Sequence, residues 1–449
     1  MATFRTAPSI ITSIAVGNFK SIGSPAKLGI RPLTILAGAN SSGKSSFMQP
    51  LLLLKQTLES QGDPDGALLL DGSNARFTSS DQILHKKLGM KSEQEFTVRL
   101  EADDTSIELH FSREAGKGFD VSRMLFNDRD GEIELRQNMT HAEIQKALPA
   151  QMKTAFRVNI PISSKDGVQK MRELRVWRNR CFLDFGLGYF NQAPLLGMPY
   201  GMGMSRRFSR ALLNLIHLPG LRGNPERTYP KVATGPSFPG RFEQYAASVV
   251  ADWQDKKDDR LAILGQMLAQ MGLTWKVTAV KIAETQYELK VGRLLHGKVG
   301  GARDMVSIAD VGFGVSQTLP VLVALLVAQE GQLVYLEQPE IHLHPKAQRN
   351  MAYVFQQAIR RGATTIVETH SAILLREIQT LVAKGELSPK DVVLHWFSRS
   401  EDGTTTVQSA ELDKNGSFGT WPVDFDETDM ESEDAYLNAV EERRAGHAE

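Results

Sequence analysis

The sequence predicts an α/β fold built around a mixed sheet with an antiparallel subdomain, and three observations lead to this prediction. Residues 33–37 form a short apolar strand that runs through a glycine-containing loop into a helical pattern. The segments "LVYLE" (333–337) and "TTIVETHSAILL" (364–375) each end a buried type of strand, and the second leads directly into a helix. Strands that alternate with helices are typical of α/β proteins. The segments "EFTVRLEA" and "SIELHFS" alternate as antiparallel strands do.

Composition indicates an ordinary globular chain. Its 449 residues allow two or three domains, and 41% hydrophobic with 23% charged residues is typical of such chains. The N-terminus has no apolar core of the signal-peptide type, and no run approaches the roughly 20 apolar residues that span a bilayer. We therefore expect a cytoplasmic protein with no membrane partner. The single cysteine, Cys181, excludes an internal disulfide and a multi-cysteine zinc site.

Charge is unevenly distributed although the formal net charge is zero. Residues 151–231 carry fourteen Lys and Arg against four acids, a net charge of +10, whereas residues 421–449 carry a net charge of −8. Such asymmetry fits a surface that binds polyanions such as nucleic acid, two opposite surfaces that meet in an assembly, or simply a solvated surface.

The strongest local signal is "GANSSGKS" at residues 38–45, which has the G-x-x-x-x-G-K-S pattern between a strand and a helix. Glycines there let backbone N–H groups surround phosphates, and the helix directs its N-terminus at them. The lysine neutralises the outer phosphates, and the serine hydroxyl can bind Mg²⁺. The expected ATP-binding residues of this loop are Gly38, Asn40, Ser41, Gly43, Lys44, Ser45 and Ser46.

Three later segments carry further candidates. Glu337 ends its strand as a magnesium acid would, so Ser45 and Glu337 are the expected metal ligands. His370 stands at the end of the next strand, where it is a candidate sensor of the γ-phosphate. The loop 312–316 precedes a strongly apolar helix, and it is either a packing turn or an anion site at a helix N-terminus.

Together these motifs resemble SMC/ABC-type ATPases of the OLD-like AAA group, which occur in bacterial defence and toxin-type loci. The resemblance is to the subgroup with a small C-terminal domain of unknown function. The motifs that carry it are "GNFKSIG", "GANSSGKSS", "HLPGLRGNPERTYP", "DVGFGVSQTLPVLVALL", "LEQPEIHLHPKAQ", "VETHS" and "LDKNGSFGTWPVDFDE".

The resemblance implies an ABC-type P-loop ATPase head that forms an ATP-sandwich dimer. Gly314, Ser316 and Gln317 would belong to a signature loop facing the nucleotide of the partner chain. Gln338 stands where such ATPases carry the glutamate that activates water, and a glutamine can orient water but cannot accept its proton at neutral pH. Glu340 is then either a displaced base or a cap for the helix near Pro345. We expect slow hydrolysis, as in a timer or sensor.

The predicted organisation has four parts. Residues 1–115 form the first ATPase lobe, and residues 116–285 form an inserted, mostly helical and basic region. Residues 286–395 form the second lobe, and residues 396–449 form a small acidic C-terminal appendage. Gln82 is a candidate for the Q-loop residue.

Two absences narrow the function. No long heptad tract indicates an extended coiled coil, and only 79 residues follow His370, which are too few for a typical nuclease domain of the OLD type. The acids Asp424, Asp426 and Asp429 fit a solvated or docking surface better than a metal centre. Two functions remain: an ATP-dependent sensor or scaffold that controls a separate effector in anti-phage defence, or a repair or recombination ATPase that acts directly on DNA.

Overall fold

The computed structural model describes residues 11–62, 64–87, 89, 91–150, 152–153, 172–189, 204–294 and 304–419. The predicted acidic tail, with Asp424, Asp426 and Asp429, lies outside the described residues. So do most of the Gly- and Met-rich segment at 186–205 and several basic residues between 154 and 171.

The strands of the described chain are β1 (Ser13–Gly17), β2 (Ala26–Gly29), β3 (Leu33–Gly38), β4 (Glu95–Ala102), β5 (Thr105–Glu114), β6 (Gly118–Asp128), β7 (Gly131–Arg136), β8 (Arg172–Asn179), β9 (Phe182–Tyr189), β10 (Ile216–Leu218), β11 (Tyr229–Pro230), β12 (Val277–Ala283), β13 (Gln286–Gly292), β14 (Met305–Ser307), β15 (Leu333–Glu337), β16 (Thr364–Glu368), β17 (Val392–Arg399) and β18 (Thr405–Glu411). The helices are α1 (Lys44–Glu59), α2 (His141–Ala147), α3 (Arg206–Leu213), α4 (Ala246–Lys256), α5 (Asp259–Gln270), α6 (Phe313–Val327), α7 (Pro345–Arg360) and α8 (Ala372–Ala383).

The central sheet has the strand order β10-β15-β16-β3-β17-β18. All neighbours in it are parallel except the hairpin of β17 and β18. Strand β16 lies between β3, which leads into the P-loop, and β15, which ends at Glu337. The carboxyl ends of these three strands therefore meet at one edge of the sheet, which is where ligands bind in open α/β sheets.

A second sheet is antiparallel and has the order β2-β1-β4-β5-β6-β7. Its strands alternate buried and half-exposed side chains, as β4 does along its eight residues, so one face packs on the core. A smaller sheet pairs β13 with β11, β12 and β14, and β8 and β9 form a separate hairpin. This arrangement confirms the predicted α/β class with a mixed sheet and an antiparallel subdomain.

Both faces of the central sheet are buried, each in its own hydrophobic cluster. Along β15, Leu333 and Tyr335 belong to the cluster under the antiparallel sheet and α1, whereas Val334 and Leu336 belong to the cluster with α6 and α7. This alternation of sides explains the continuous apolar run of the strand, because a parallel sheet covered on both faces needs no polar side.

The structure differs from the predicted domain boundaries in two places. Strands β6 and β7 continue the antiparallel sheet beyond residue 115, and the region 116–285 contributes strands to all four sheets as well as helices. Residue 396 lies inside β17, whose hairpin with β18 completes the central sheet. Two kinds of pairing cross the predicted boundaries: β6 and β7 continue from β5 as successive hairpins, and β17 pairs with the distant strand β3.

None of the described helices combines the length and the hydropathy that a membrane span requires.

Candidate nucleotide-binding site

The loop between β3 and α1 has a shape that only glycine permits at two positions. Gly38 has φ 138° and Gly43 has φ 107°, both in the region that L residues avoid. A Cβ at Gly38 would also collide with the carbonyl oxygen of Phe397, and one at Gly43 would collide with the Thr405 hydroxyl. The β17–β18 hairpin therefore packs directly on the loop and leaves the N-terminus of α1 open to a ligand.

A cavity of about 440 Å³ lies at this helix N-terminus. It is lined by Lys20, Ser21, residues 40–46, Gln338, Glu368, His370 and Arg399. The structure thus brings the candidate loop residues together with Gln338 and His370, which come from the ends of neighbouring strands. Arg399 and Lys20 add cations that the sequence analysis did not single out.

Lys44 lies inside the loop rather than in solvent. Its Nζ donates to the carbonyl oxygens of Gly38 at 3.0 Å and Ala39 at 2.8 Å. Burial lowers the pKa of Lys44, and the nearby charge of Glu368 opposes that shift. A desolvated ammonium at this position is ready to exchange carbonyl partners for phosphate oxygens.

Glu368 accepts a hydrogen bond from a P-loop side chain, and the sequence pattern did not single this residue out. The Ser45 hydroxyl donates to its Oε1 at 2.8 Å, and the Tyr335 hydroxyl donates to its Oε2 at 3.1 Å. Only 4% of the residue is exposed, and burial raises its pKa. The signal in the sequence that could have identified Glu368 is its place at the end of the apolar strand "TTIVE".

Glu337, the expected metal ligand, has other partners. His217 Nε2 lies 3.0 Å from its Oε1, and the backbone N–H of Gly220 donates to its Oε2 at 3.1 Å. Burial acts to raise the pKa of Glu337, but the hydrogen bonds from His217 and Gly220 bring it below its usual value. Both oxygens are therefore engaged away from the Ser45 hydroxyl, and Glu337 does not line the cavity.

Glu340 does not cap the helix α7, and its hydrogen bonds point away from the cavity. Its Oε1 accepts from the Thr369 hydroxyl at 2.6 Å and from the backbone N–H of His370 at 2.9 Å. The residue is 7% exposed, burial raises its pKa, and it does not line the cavity. The helix α7 is capped by His344, whose side chain accepts from Lys346 N. Glu340 instead holds the loop that carries His370.

His370 lies on the cavity at the start of the turn into α8. Burial lowers its pKa, and the charge of Lys44 lowers it further. Both effects favour the neutral imidazole, which can offer one N–H to a phosphate oxygen. Gln82, by contrast, accepts from Thr78 N and does not line the cavity.

The candidate signature residues lie apart from this cavity. Gly314 helps line a separate hollow of about 320 Å³. Ser316 is buried and donates to Phe313 O at 3.1 Å, and Gln317 is buried and donates to Gly223 O at 2.7 Å. These two side chains therefore do not face outward, and the exposed part of the helix N-terminus is Gly312 with Phe313, which is 49% exposed.

The donor set suits a magnesium nucleotide. In the described part of the chain, no group of three or more His, Cys, Asp or Glu could hold a metal ion by itself. Mg²⁺ typically uses one or two carboxylates together with phosphate oxygens and water. The Ser45 hydroxyl, a neighbouring carboxylate and the buried Lys44 supply the protein's share of such a site.

Comparison with known families gives one match over most of the chain. The family model described as "AAA domain, putative AbiEii toxin, Type IV TA system" matches residues 33–376, which include the P-loop, Glu337 and His370. No curated protein sequence matches the chain.

Three solved SMC head domains resemble the structure. An SMC head bound to the C-winged helix domain of ScpA has a TM-score of 0.46 and 12% identity, with 90% of this chain and 98% of that chain covered. The SMC head domain from Thermotoga maritima has a TM-score of 0.36 and 10% identity, with coverages of 89% and 98%. A head with an extended coiled coil bound to the C-terminal domain of ScpA, derived from Pyrococcus furiosus, has a TM-score of 0.43 and 11% identity, with coverages of 90% and 97%.

Proposed function

We propose that this chain, which belongs to the family described as "AAA domain, putative AbiEii toxin, Type IV TA system", is an ATPase that acts as an ATP-dependent sensor or scaffold. In this proposal, copies of the chain assemble through shared nucleotide sites and control a separate effector, a nuclease or a toxin, in anti-phage defence. The family description supports a toxin-type setting, and the cavity at the P-loop supports ATP as the ligand.

The observation that carries the slow, sensor-like behaviour is the environment of Gln338. Gln338 lines the cavity where water would attack the γ-phosphate, and Glu340, the replacement base that the sequence suggested, is bonded to the His370 loop. An amide can orient water but cannot take its proton. Slow hydrolysis gives a long-lived ATP-bound state, which suits a timer better than a motor.

The chain's own residues then have distinct tasks. Backbone N–H groups of residues 40–46 and the N-terminus of α1 bind the phosphates, and Lys44 neutralises the outer ones. Ser45 supplies a hydroxyl to magnesium, which when bound would neutralise charge developing on the phosphates. His370 donates a hydrogen bond to the γ-phosphate and so distinguishes ATP from ADP.

The separation of the two candidate sites supports assembly. The signature helix α6 presents the exposed N–H end of Gly312 and Phe313 outside the P-loop cavity of its own chain. Such a helix N-terminus favours anions. A second copy placed head to tail would bring this end to the γ-phosphate that the first copy holds.

The molar mass of the purified full chain in ATP, in ADP and without nucleotide tests this proposal. We expect a dimer or a larger assembly only in ATP, which disperses slowly as ATP is consumed. Lys44→Ala should stay in the nucleotide-free state throughout. A mass that does not respond to ATP would contradict the shared-site proposal. Co-purification with the product of a neighbouring gene, if that gene encodes a nuclease or toxin, would support the effector role.

The alternative, an ATPase acting directly on DNA, has less support from the described residues. Arg178 donates to the carbonyl oxygens of Gly66 and Pro64, and Arg180 donates to those of Thr57 and Ser60. Arg207 pairs with Asp103, and Arg227 pairs with Asp310. Four of the fourteen basic residues of this region therefore already have hydrogen-bond or ion-pair partners within the fold, which reduces their support for a phosphate-binding surface.

A further inference from the structure

Two carboxylates stand side by side at the edge of the central sheet. Glu337 ends β15 and Glu368 ends β16, and the two residues are register partners in the parallel pair. Either could serve a magnesium ion from its strand position alone. Their hydrogen-bond partners differ, and the difference indicates which carboxylate faces the nucleotide.

Glu337 is held by the neighbouring strand β10 and the loop that follows it. His217 and the Gly220 N–H bond its two oxygens, and His217 Nδ1 lies 3.0 Å from Asn74 Oδ1. The His217 ring also stacks on Tyr335, with centroids 5.4 Å apart and planes 9° from parallel. These contacts give Glu337 a positioning role in joining β10 to β15.

Glu368 lies on the nucleotide side. It lines the cavity, and its Oε1 accepts the hydroxyl hydrogen of Ser45, the P-loop residue whose oxygen is suited to Mg²⁺. Lys44 donates to backbone carbonyls, so no hydrogen bond from that ammonium occupies the carboxylate. The Tyr335 hydroxyl donates to Oε2 and so orients the carboxylate, as hydrogen-bond partners of metal ligands typically do.

We infer that Glu368, and not Glu337, supplies the carboxylate that completes the magnesium site with Ser45. The carboxylate binds the ion directly or through one of its waters, while Tyr335 fixes its orientation. This inference rests on the proposed ATPase function, because the ion arrives with the nucleotide. It places the metal acid one strand nearer the P-loop than the sequence motif predicts.

The test compares isosteric variants by binding rather than by turnover. ATP affinity is measured calorimetrically in EDTA and in excess Mg²⁺, and Mn²⁺ affinity of the ATP complex is measured by electron paramagnetic resonance. We expect Glu368→Gln to reduce Mn²⁺ affinity by about 10- to 100-fold, the usual range for removing a group that supports a bound metal. ATP affinity in EDTA should rise, because a negative charge near the phosphates is removed. Ser45→Ala serves as the positive control for weakened metal binding.

Glu337→Gln is the matched control, and we expect Mn²⁺ affinity within about threefold of the wild type, well below the effect of removing a group that supports the metal. A fall in Mn²⁺ affinity in Glu337→Gln that equals or exceeds the fall in Glu368→Gln would overturn the assignment. A Glu368→Gln variant that weakens ATP equally with and without metal would show a merely structural acceptor, and it too would overturn the assignment. If the wild type binds no ATP, the proposed function itself fails, and this result is distinguishable from both outcomes for the glutamine variants.

Discussion

Gln338 occupies a backbone conformation that residues other than glycine rarely adopt. Its φ is 43°, its N–H donates to Glu368 O at 2.8 Å, and its carbonyl accepts from Arg222 at 3.2 Å. Such conformations cost on the order of 1–3 kcal/mol and persist where surrounding contacts impose them, often at functional sites. These backbone contacts hold Gln338 at the wall of the cavity.

Gln338→Glu is expected to increase ATP turnover and to shorten the life of the ATP-bound assembly. The new carboxylate would accept the proton of the attacking water, and general-base catalysis typically contributes roughly 10²- to 10⁴-fold. Steady-state phosphate release and the decay of the assembly after ATP removal measure both effects. Gln338→Ala is the control and should fall below the wild type. Wild-type turnover of tens per second, within the range of ordinary enzymes, would contradict the timer.

The second prediction concerns Glu340, for which two variants distinguish a catalytic base from a residue that only supports the His370 loop. Glu340→Ala leaves the Thr369 hydroxyl and the His370 N–H without their acceptor, at about 1–3 kcal/mol for each buried group. We expect lower thermal stability and slower hydrolysis. Glu340→Gln retains an acceptor oxygen and should keep most of the rate. A stable Glu340→Gln protein without activity would instead identify Glu340 as the base.

Among the elements, helix α6 combines a buried body with an exposed beginning. Twelve of its residues, from Val315 to Leu326, are buried in the core, while Gly312 and Phe313 before and at its first turn are exposed. The core fixes the direction of the helix, so its N-terminus points outward rigidly. The buried side chains of Ser316 and Gln317 donate to carbonyl oxygens of the same chain, so a substitution at either would disturb the fold as well as any contact with a partner.

Gly312→Glu is the better probe of the shared site. Gly312 has an ordinary φ of −63°, and a Cβ there meets nothing within 4 Å, so the fold should tolerate the change. A carboxylate at the helix N-terminus would repel the partner's γ-phosphate. We expect unchanged ATP binding by one chain but loss of hydrolysis and of the ATP-dependent assembly. Gly235→Glu, also in open space, should have no effect.

Mixing adds a decisive control for the same prediction. Lys44→Ala has an intact signature end, and Gly312→Glu has an intact P-loop. If sites are shared between chains, the mixed dimer contains one complete site, and hydrolysis should reappear when the two inactive variants are combined. No recovery on mixing, with assembly otherwise intact, would place each site within a single chain.

At the scale of the whole molecule, the hydrophobic clusters and the basic region 151–231 are more closely connected than the sequence pattern indicates. The two hydrophobic clusters enclose the central sheet from both sides. Several basic residues of the region 151–231 bond to backbone carbonyls or to acids of other segments. An arginine that donates to backbone carbonyls keeps its charge, but part of its set of N–H donors is already engaged within the fold.

Charge reversal at Arg206 and Arg210 on α3 tests whether this region binds nucleic acid. Both residues are exposed. If they bind phosphates, the slope of log affinity against log salt should become shallower by about 0.9 for each phosphate of duplex DNA that the variant no longer neutralises. Lys384→Glu with Lys390→Glu, two exposed positions elsewhere, is the charge-matched control. No DNA or RNA binding by the wild type at low salt would remove the nucleic-acid function and leave the sensor or scaffold.

The sequence by itself determined the P-loop, the strand and helix after it, and the later strands that end at Glu337 and near His370. These are local properties, since glycine spacing, apolar runs and helix starts act over a few residues. The α/β class followed from them.

Only the tertiary structure decided which carboxylate faces Ser45. The partners that choose between Glu337 and Glu368 are His217 and Gly220 on one side and Ser45 on the other, more than 100 positions away along the chain. The same holds for Glu340, whose acceptor role needs Thr369 and His370, and for β10 and β17, which join the central sheet by pairing with the distant strands β15 and β3. A side chain's direction is set by such long-range partners, and the spacing of residues along the sequence does not contain that information.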